Sequence, residues 1–473
     1  MSSRTNAGLV DAPAGVGASV PQPRFAIVVF LILGVIALAL SAGINPGFVR
    51  VLPAALGALL AFAVTARRLA PLAVSPGFYF AAYLAGLGFL GFHLTNVFAG
   101  SGGTGGVDVV LDLGTLQMTA SSFLFAAIIV LIAASFARGG RAAPVGPGPA
   151  RPLDLGDLGR YSSMLLVFSL ATLMLLIYFL GIGSLLERSG RLVGSESSIQ
   201  TAVGMSAIAA VVASGIVVFS RRGILRIVAI LSVLGFTAYF VSLGTRRLAL
   251  MPILLLLSYA LARRGAVRPL AVMIATIAAL VLLTLPLYFR SLPSHGLIPH
   301  LNALGSFSIG ADNLSASFNN ILAGFKITAM TGFGRPHIGI DAFWVSINPI
   351  TGDSVGWSQI APSLRLNRFT PYSGLGELIN LGSTVFVVSL GLIGLALGNI
   401  QRINDKLFTT LIGRLFAIGT LGLTFIFVIQ STQYNLRSNL RYLYFAIGLQ
   451  LAALLILRLR EAIAQKRRVP GHY

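Results

Sequence analysis

The stretch SLGTRRLAL places Arg246 and Arg247 in a turn of a few residues between two long apolar runs. Arginines recur at similar places further on. Arg290 ends an apolar run in LPLYFRSLPSHG, Arg335, Arg365 and Arg368 lie in the long segment after it, and Arg437 and Arg441 flank the turn STQYNLRSNLRYLY. A guanidinium stays charged at any relevant pH and grips phosphate oxygens two at a time. At the end of an apolar run such a cation is costly without a partner. Several of them suit an anion at a membrane surface, and a lipid-linked pyrophosphate is the anion that needs them most. Charge builds on a departing pyrophosphate as its bond to a sugar breaks, and preplaced cations stabilise that charge. Arg246 is the first candidate, because so short a turn needs no charge for solubility. Arg247, Arg290, Arg437 and Arg441 complete the expected pyrophosphate set. Taken singly, each can equally snorkel to lipid headgroups.

Gln433, Tyr434 and Asn435 stand beside Arg437 and suit sugar hydroxyls, and Trp344 is grouped with Gln433 and Asn435 as a sugar contact. A general base has three candidates: His337 in GRPHIG, Asp341 in RPHIGIDAFW and Glu377 in TPYSGLGELINLGS. The same residues also serve as caps or arginine partners. His93, His295 and His300 are further histidines of the same side. No HExxH pattern occurs and the histidines lack metal-ligand spacing, so no metal and no cofactor are expected. Arg188 and Arg191 lie among Glu187 and Glu196 and read as a solvated loop. The glycines of GSGGTGGVD do not stand between a strand and a helix, so they form a linker and not a phosphate loop.

What must hold these side chains is a membrane protein. Of 473 residues, 56% are hydrophobic and 10% charged, and mean hydropathy is +0.88. Many runs approach the ~20 apolar residues that cross a bilayer. The expected fold is all-α and polytopic, with about twelve spans near 25–44, 48–66, 76–98, 115–137, 161–183, 201–220, 224–244, 248–262, 269–289, 383–400, 410–430 and 440–458. With both termini inside, 22 of the 34 Lys and Arg fall on the cytoplasmic side, which carries +17 of the net +21. That is the usual bias of membrane proteins, so the charge does not imply nucleic acid. Without cysteine, disulfides and thiol catalysis are excluded. The layout is a disordered cytoplasmic tail (1–24), spans one to nine (25–290), a large extracytoplasmic loop with short helices (291–382), spans ten to twelve (383–458) and a basic cytoplasmic tail (459–473). The loop from Arg138 to Arg160 reads as a flexible linker. Within the large loop, ADNLSASFNNILAGFKITAM predicts an amphipathic helix with Asp312 near its N-cap. Leu314, Phe318, Ile321, Leu322 and Phe325 share one face, expected to pack on the spans. Few ionisable residues lie deep in the spans, which argues against ion-coupled transport.

SLGTRRLAL is similar to the Gly-Ser/Thr-Arg turn of the bacterial O-antigen or oligosaccharide repeat-unit polymerases. RFTPYSGLGELINLGSTVFVVSLGLIGL resembles their aromatic and proline segment leading into a Gly-rich span. The span layout with one large outer loop resembles theirs over most of the chain. The resemblance implies a multi-pass protein of the bacterial plasma membrane. It would transfer a glycan from undecaprenyl pyrophosphate to the non-reducing end of another lipid-linked repeat unit, without a nucleotide sugar. Its partners would be membrane lipid, the undecaprenyl-pyrophosphate-linked oligosaccharide, a flippase and a chain-length regulator. Arg246, with Arg247, matches the turn arginine. The nearest alternative is an O-antigen ligase-type transferase, kept open by GRPHIG at Arg335–His337. A transporter or flippase of lipid-linked saccharides would need a polar path through the spans. A polyprenyl-monophosphate glycosyltransferase would carry an acid in its first outer turn, and INPGF has none.

Overall fold

The computed structural model describes residues 23–66, 75–97, 109–138, 161–189, 198–245, 247–262, 269–289, 292–308, 310–350, 352–367, 370–407 and 411–468. The N-terminal tail, most of the 138–160 linker and most of GSGGTGGVD therefore lie outside the described residues.

The described chain is all helical, apart from two isolated β-bridges. The first four helices are α1 (Pro23–Ile44), α2 (Leu52–Ala66), α3 (Pro76–Leu94) and α4 (Leu113–Ala137). Then come α5 (Ser162–Leu180), α6 (Ile182–Leu186), α7 (Ser198–Ser220), α8 (Ile224–Leu243), α9 (Arg247–Ala262) and α10 (Pro269–Phe289). The long connection holds α11 (Leu297–Leu304), α12 (Ala311–Phe333), α13 (Ile340–Ile347), α14 (Trp357–Ile360) and α15 (Gly374–Asn380). The chain closes with α16 (Ser383–Leu407), α17 (Leu411–Gln430) and α18 (Leu436–Arg468). Six of these, α3, α4, α5, α8, α16 and α18, are long and apolar enough to cross a membrane. Shorter apolar helices lie within α1, α2, α7, α9, α10 and α17.

The helices form two bundles. The first joins α1–α4 to α16–α18, with α12 and α15 packed among them; the second gathers α5 and α7–α10, with α11 on the end of α8. In lipid, helices gain no hydrophobic drive from meeting one another, so close packing and hydrogen bonds must hold them. In the first bundle Phe325 of α12 stacks on Phe123 of α4 at 5.5 Å. It enters against Gly91 of α3, where a Cβ would stand 2.2 Å from the ring. In the second bundle three buried serines knot three helices: Ser169 lies 2.5 Å from Ser214 and 3.1 Å from Ser232. The bundles meet where α10 packs on α12 and α17 touches α7.

The expected amphipathic helix of the long connection forms as α12. It runs for 23 residues, three beyond the stretch that predicted it. Only half of its apolar face packs on the spans. Leu322 and Phe325 are buried, whereas Leu314 and Phe318 remain exposed. On the C-terminal half of α12, Phe325 packs against Gly91 of α3 and Phe123 of α4, and Thr328 bonds Ser373 at the start of α15. The Asp312 side chain lies outside the described residues, and the N-cap position is Gly310.

Candidate functional site

The end of the first bundle that carries α15 is polar and buried. Ser373 starts the network: its backbone geometry is extended, so it ends the preceding loop and caps α15 by accepting the Gly376 N–H at 2.8 Å. Its hydroxyl also meets Thr328 Oγ1 of α12 at 2.8 Å, and its own N–H donates to Thr331 Oγ1. At the other end of α15, Asn380 accepts the Ile338 N–H at 2.6 Å and donates to the Thr331 carbonyl at 3.1 Å. These bonds lock α15 onto α12. A second set ties it to the turn between α17 and α18: Gly374 N–H donates to Tyr434 O at 2.7 Å, and Leu375 N–H to Ser431 O at 3.1 Å.

Glu377 sits inside this joint, 2% exposed, accepting the Leu436 N–H at 3.2 Å. Leu436 opens α18, so the carboxyl caps a helix start that otherwise leaves donors free. Among the described residues no cation pairs with it. Burial pushes its carboxyl up to about 8, against the lowering pull of the Leu436 N–H. A carboxyl sealed this way cannot reach a sugar hydroxyl, whereas His337 and Asp341, the other two base candidates, are exposed.

The neighbouring Arg437 is 2% exposed. Its Nη1 donates to Val345 O and, at 3.0 Å, to Asn348 O, and its Nη2 to Ile350 O. Trp357 covers the guanidinium, 5.3 Å from the ring centroid. Arg437 thus holds the C-terminal end of α13, where carbonyls lack helical partners. Its Nη groups are turned to protein carbonyls, away from solvent. Asn435, a sugar candidate, caps α18 by accepting the Ser438 N–H at 2.9 Å. Gln433, the second, donates to Asn320 O at 3.3 Å. Trp344, the third, is 60% exposed on α13.

Two of the expected arginines lie within electrostatic reach of one phenol elsewhere. Arg247, at the start of α9, is half-buried and donates to Gly204 O of α7 at 2.9 Å. Arg441, on the first turns of α18, is exposed. Both lie within electrostatic reach of the Tyr442 phenol, as does Tyr434. Arg246 and Arg290 lie outside the described residues, as does Arg368; Arg335 is exposed and donates to Leu366 O at 2.9 Å.

Three features escaped the sequence reading. Arg188 is not in a solvated loop: its guanidinium donates to Ser184 O and Ser242 O, both at 2.8 Å, because the chain around it folds back onto the end of α8. His295 and His300, two of the further histidines of the same side, are buried beside it. Lys326 is 4% exposed on α12, with Nζ donating to Asn319 Oδ1 at 3.1 Å. The one signal available for it was a lone lysine in the apolar run LAGFKITAM. His93, by contrast, is walled by Phe48, Phe89 and Phe92, with ring centroids 4.8 to 5.1 Å away. Compared with known protein families, with curated proteins and with solved structures, the chain matches none.

Proposed function

We propose that the protein is a polymerase of lipid-linked oligosaccharide repeat units in the bacterial plasma membrane. In this reading the six long and six shorter apolar helices make twelve spans, with both termini in the cytoplasm. The long connection and the starts of α9 and α18 then share the outer face.

The observation that supports it best is the approach of Arg247 and Arg441 to one phenol, Tyr442. They come from different bundles, and in this reading the two like charges share one site. That arrangement is repulsive by itself and becomes favourable once an anion lies between them. Arg247 opens α9, whose N-terminus also favours an anion, and Arg441 stands on the second turn of α18. A pyrophosphate on a polyprenyl chain would lie at this depth, with its glycan toward α13, Trp344 and the exposed His337 and Asp341. The arginines stabilise the charge that develops on the leaving pyrophosphate. The acceptor hydroxyl of the next repeat unit gives its proton to His337 or Asp341 and attacks the anomeric carbon. Arg246 and Arg290 belong to the same proposed cation set. Arg437 supports the site by fixing α13.

Replacing Arg246, Arg247 or Arg441 with Ala and separating the cell's lipid-linked glycans by size tests this. Single repeat units accumulate in place of long chains if the reading holds. Long chains that persist unchanged overturn the pyrophosphate site, and long chains that build up unattached point to the ligase-type transferase instead.

A further inference from the structure

The end of α8 is closed from three sides. Gly244, in the left-handed region at φ +59°, turns the chain so that its own N–H donates to Val241 O at 2.9 Å and the Thr245 N–H to Phe240 O at 3.3 Å. A residue with a side chain resists that conformation. Val241 O also meets His300 Nδ1 at 2.6 Å, and Ser242 O takes Arg188 Nη2. The last carbonyls of α8 are therefore satisfied by side chains from two remote segments. Those segments are pinned to each other: Arg188 N–H donates to His295 O at 2.8 Å, and His295 N–H to Arg188 O at 2.9 Å. Directly beyond Gly244 the chain enters Thr245, Arg246 and Arg247.

The protons in this cluster are fixed by the bonding. A carbonyl only accepts, so His300 Nδ1 carries hydrogen. Neutral His300 then offers a lone pair at Nε2, and His295 Nδ1, 3.4 Å away, is its donor. Phe289 stacks on the His300 ring at 4.3 Å and seals its other face. A proton added at His300 Nε2 faces the His295 N–H, inside a pocket that already holds the Arg188 cation. The neighbouring carboxylate, Glu187, is exposed. Tyr239 of α8 lies near Arg188, Tyr288 of α10 turns its hydroxyl to Ser306, and Arg247 turns to Gly204.

We propose that Arg188, His295 and His300 form a proton-sensitive clasp that positions the α8–α9 turn, closed while the His300 imidazole is neutral and opened by acid. Burial lowers the His300 imidazole from its ordinary 6.5; the Val241 carbonyl pulls the other way, and Arg188 lowers it again. The folded protein therefore binds fewer protons here than the unfolded chain. The clasp contributes fully above pH 6.5 and loses strength as the pH falls below it. That the positioned turn serves a pyrophosphate rests on the function proposed above; the clasp itself does not.

Amide hydrogen exchange of the full-length protein in detergent tests the clasp, read on peptides covering residues 240–248 and corrected for the intrinsic effect of pH. In the wild type, exchange rises on the order of tenfold between about pH 7.5 and 5.5, within the limit of one decade per pH unit for each proton bound. His300→Asn keeps an amide donor for Val241 O and cannot titrate, so its turn stays protected across the range. His300→Phe lacks the donor and exchanges fast at both ends. A wild type without pH dependence, or a His300→Asn protein as pH-dependent as wild type, overturns the clasp. Titrating inorganic pyrophosphate into the same samples separates the two claims. Affinity that weakens as the turn opens supports the link to the turn arginines. A pH-dependent turn in a protein that never binds pyrophosphate supports the clasp and removes the function.

Discussion

Arg437 in the first bundle and Arg188 in the second do the same job with different company. Each brings a guanidinium to the carbonyl-rich C-terminal end of a helix, α13 for Arg437 and α8 for Arg188. Arg437 bonds three carbonyls and lies under the face of Trp357, with Arg441 and the Tyr444 phenol in electrostatic reach and no imidazole among its described partners. Arg188 shares its pocket with two imidazoles and stays half-buried. One latch is therefore free of imidazoles, and the other, in the clasp proposed above, answers to protons. Arg247 and Arg441 differ from both: Arg247 bonds Gly204 O inside α7, Arg441 is exposed, and both lie within electrostatic reach of the Tyr442 phenol. An arginine beside an apolar run says nothing of its role until the fold shows which oxygens it meets.

The comparison breaks most visibly at Arg437. Arg437→Ala takes the donor from three carbonyls in part-buried hydrogen bonds, and a carbonyl left dry costs about 1–3 kcal/mol. It should give the largest fall in thermal stability of any arginine replacement here, followed by Arg188→Ala. Arg437→Lys should rescue little, since one ammonium cannot span acceptors on Val345, Asn348 and Ile350. Thermal unfolding in detergent checks the order. Equal, small losses at Arg437 and at exposed Arg441 would dissolve the distinction between latch and ligand.

The second effect is smaller and has a sign opposite to the clasp's. Glu377 is raised in the fold, to about 8 from an ordinary 4.5, so the folded protein binds a proton the unfolded chain has lost. Its contribution is whole below pH 4.5 and disappears as the pH climbs through 8. Glu377→Gln keeps a neutral acceptor for the Leu436 N–H and should flatten that part of the stability profile. The joint around α15 would then weaken with alkali, whereas the end of α8 weakens with acid. A wild-type melting temperature that does not decline between about pH 5 and 8 relative to Glu377→Gln would refute this account of the carboxyl.

Helices were legible in the sequence and partners were not. Apolar runs of span length mark the long helices, since backbone groups in lipid must bond within the segment. The amphipathic spacing of Leu322 and Phe325 marks α12. By contrast, Arg437 bonds carbonyls about ninety positions earlier, and Arg188 those of Ser242, more than fifty positions later. Nothing local to either residue records that. Glu187 beside Arg188 favoured a solvated pair, and tertiary folding overrode it. Asn435 and Gln433 looked like free sugar contacts because capping and cross-helix bonds leave no composition signal. Glu377 was visible as a lone acid near a span, but its burial depends on α12 and α18 closing over it.

The smallest structural effect should come from Arg441, and it is the most telling. An exposed cation contributes roughly 0–1 kcal/mol to stability, so Arg441→Ala should melt almost as wild type does. If Arg441 and Arg247 hold one anion, the same change should weaken inorganic pyrophosphate about tenfold, equivalent to ~1.4 kcal/mol. Arg247→Ala should weaken it similarly but also lose the bond to Gly204, so it carries a structural cost that Arg441→Ala lacks. The double replacement then separates ligand from scaffold. If both guanidiniums contact one anion, the second loss should be smaller than the first, because the remaining cation already binds an incompletely held ligand. Strict additivity in pyrophosphate binding would mean that the two arginines act at separate places, and the meeting at Tyr442 would carry no shared site.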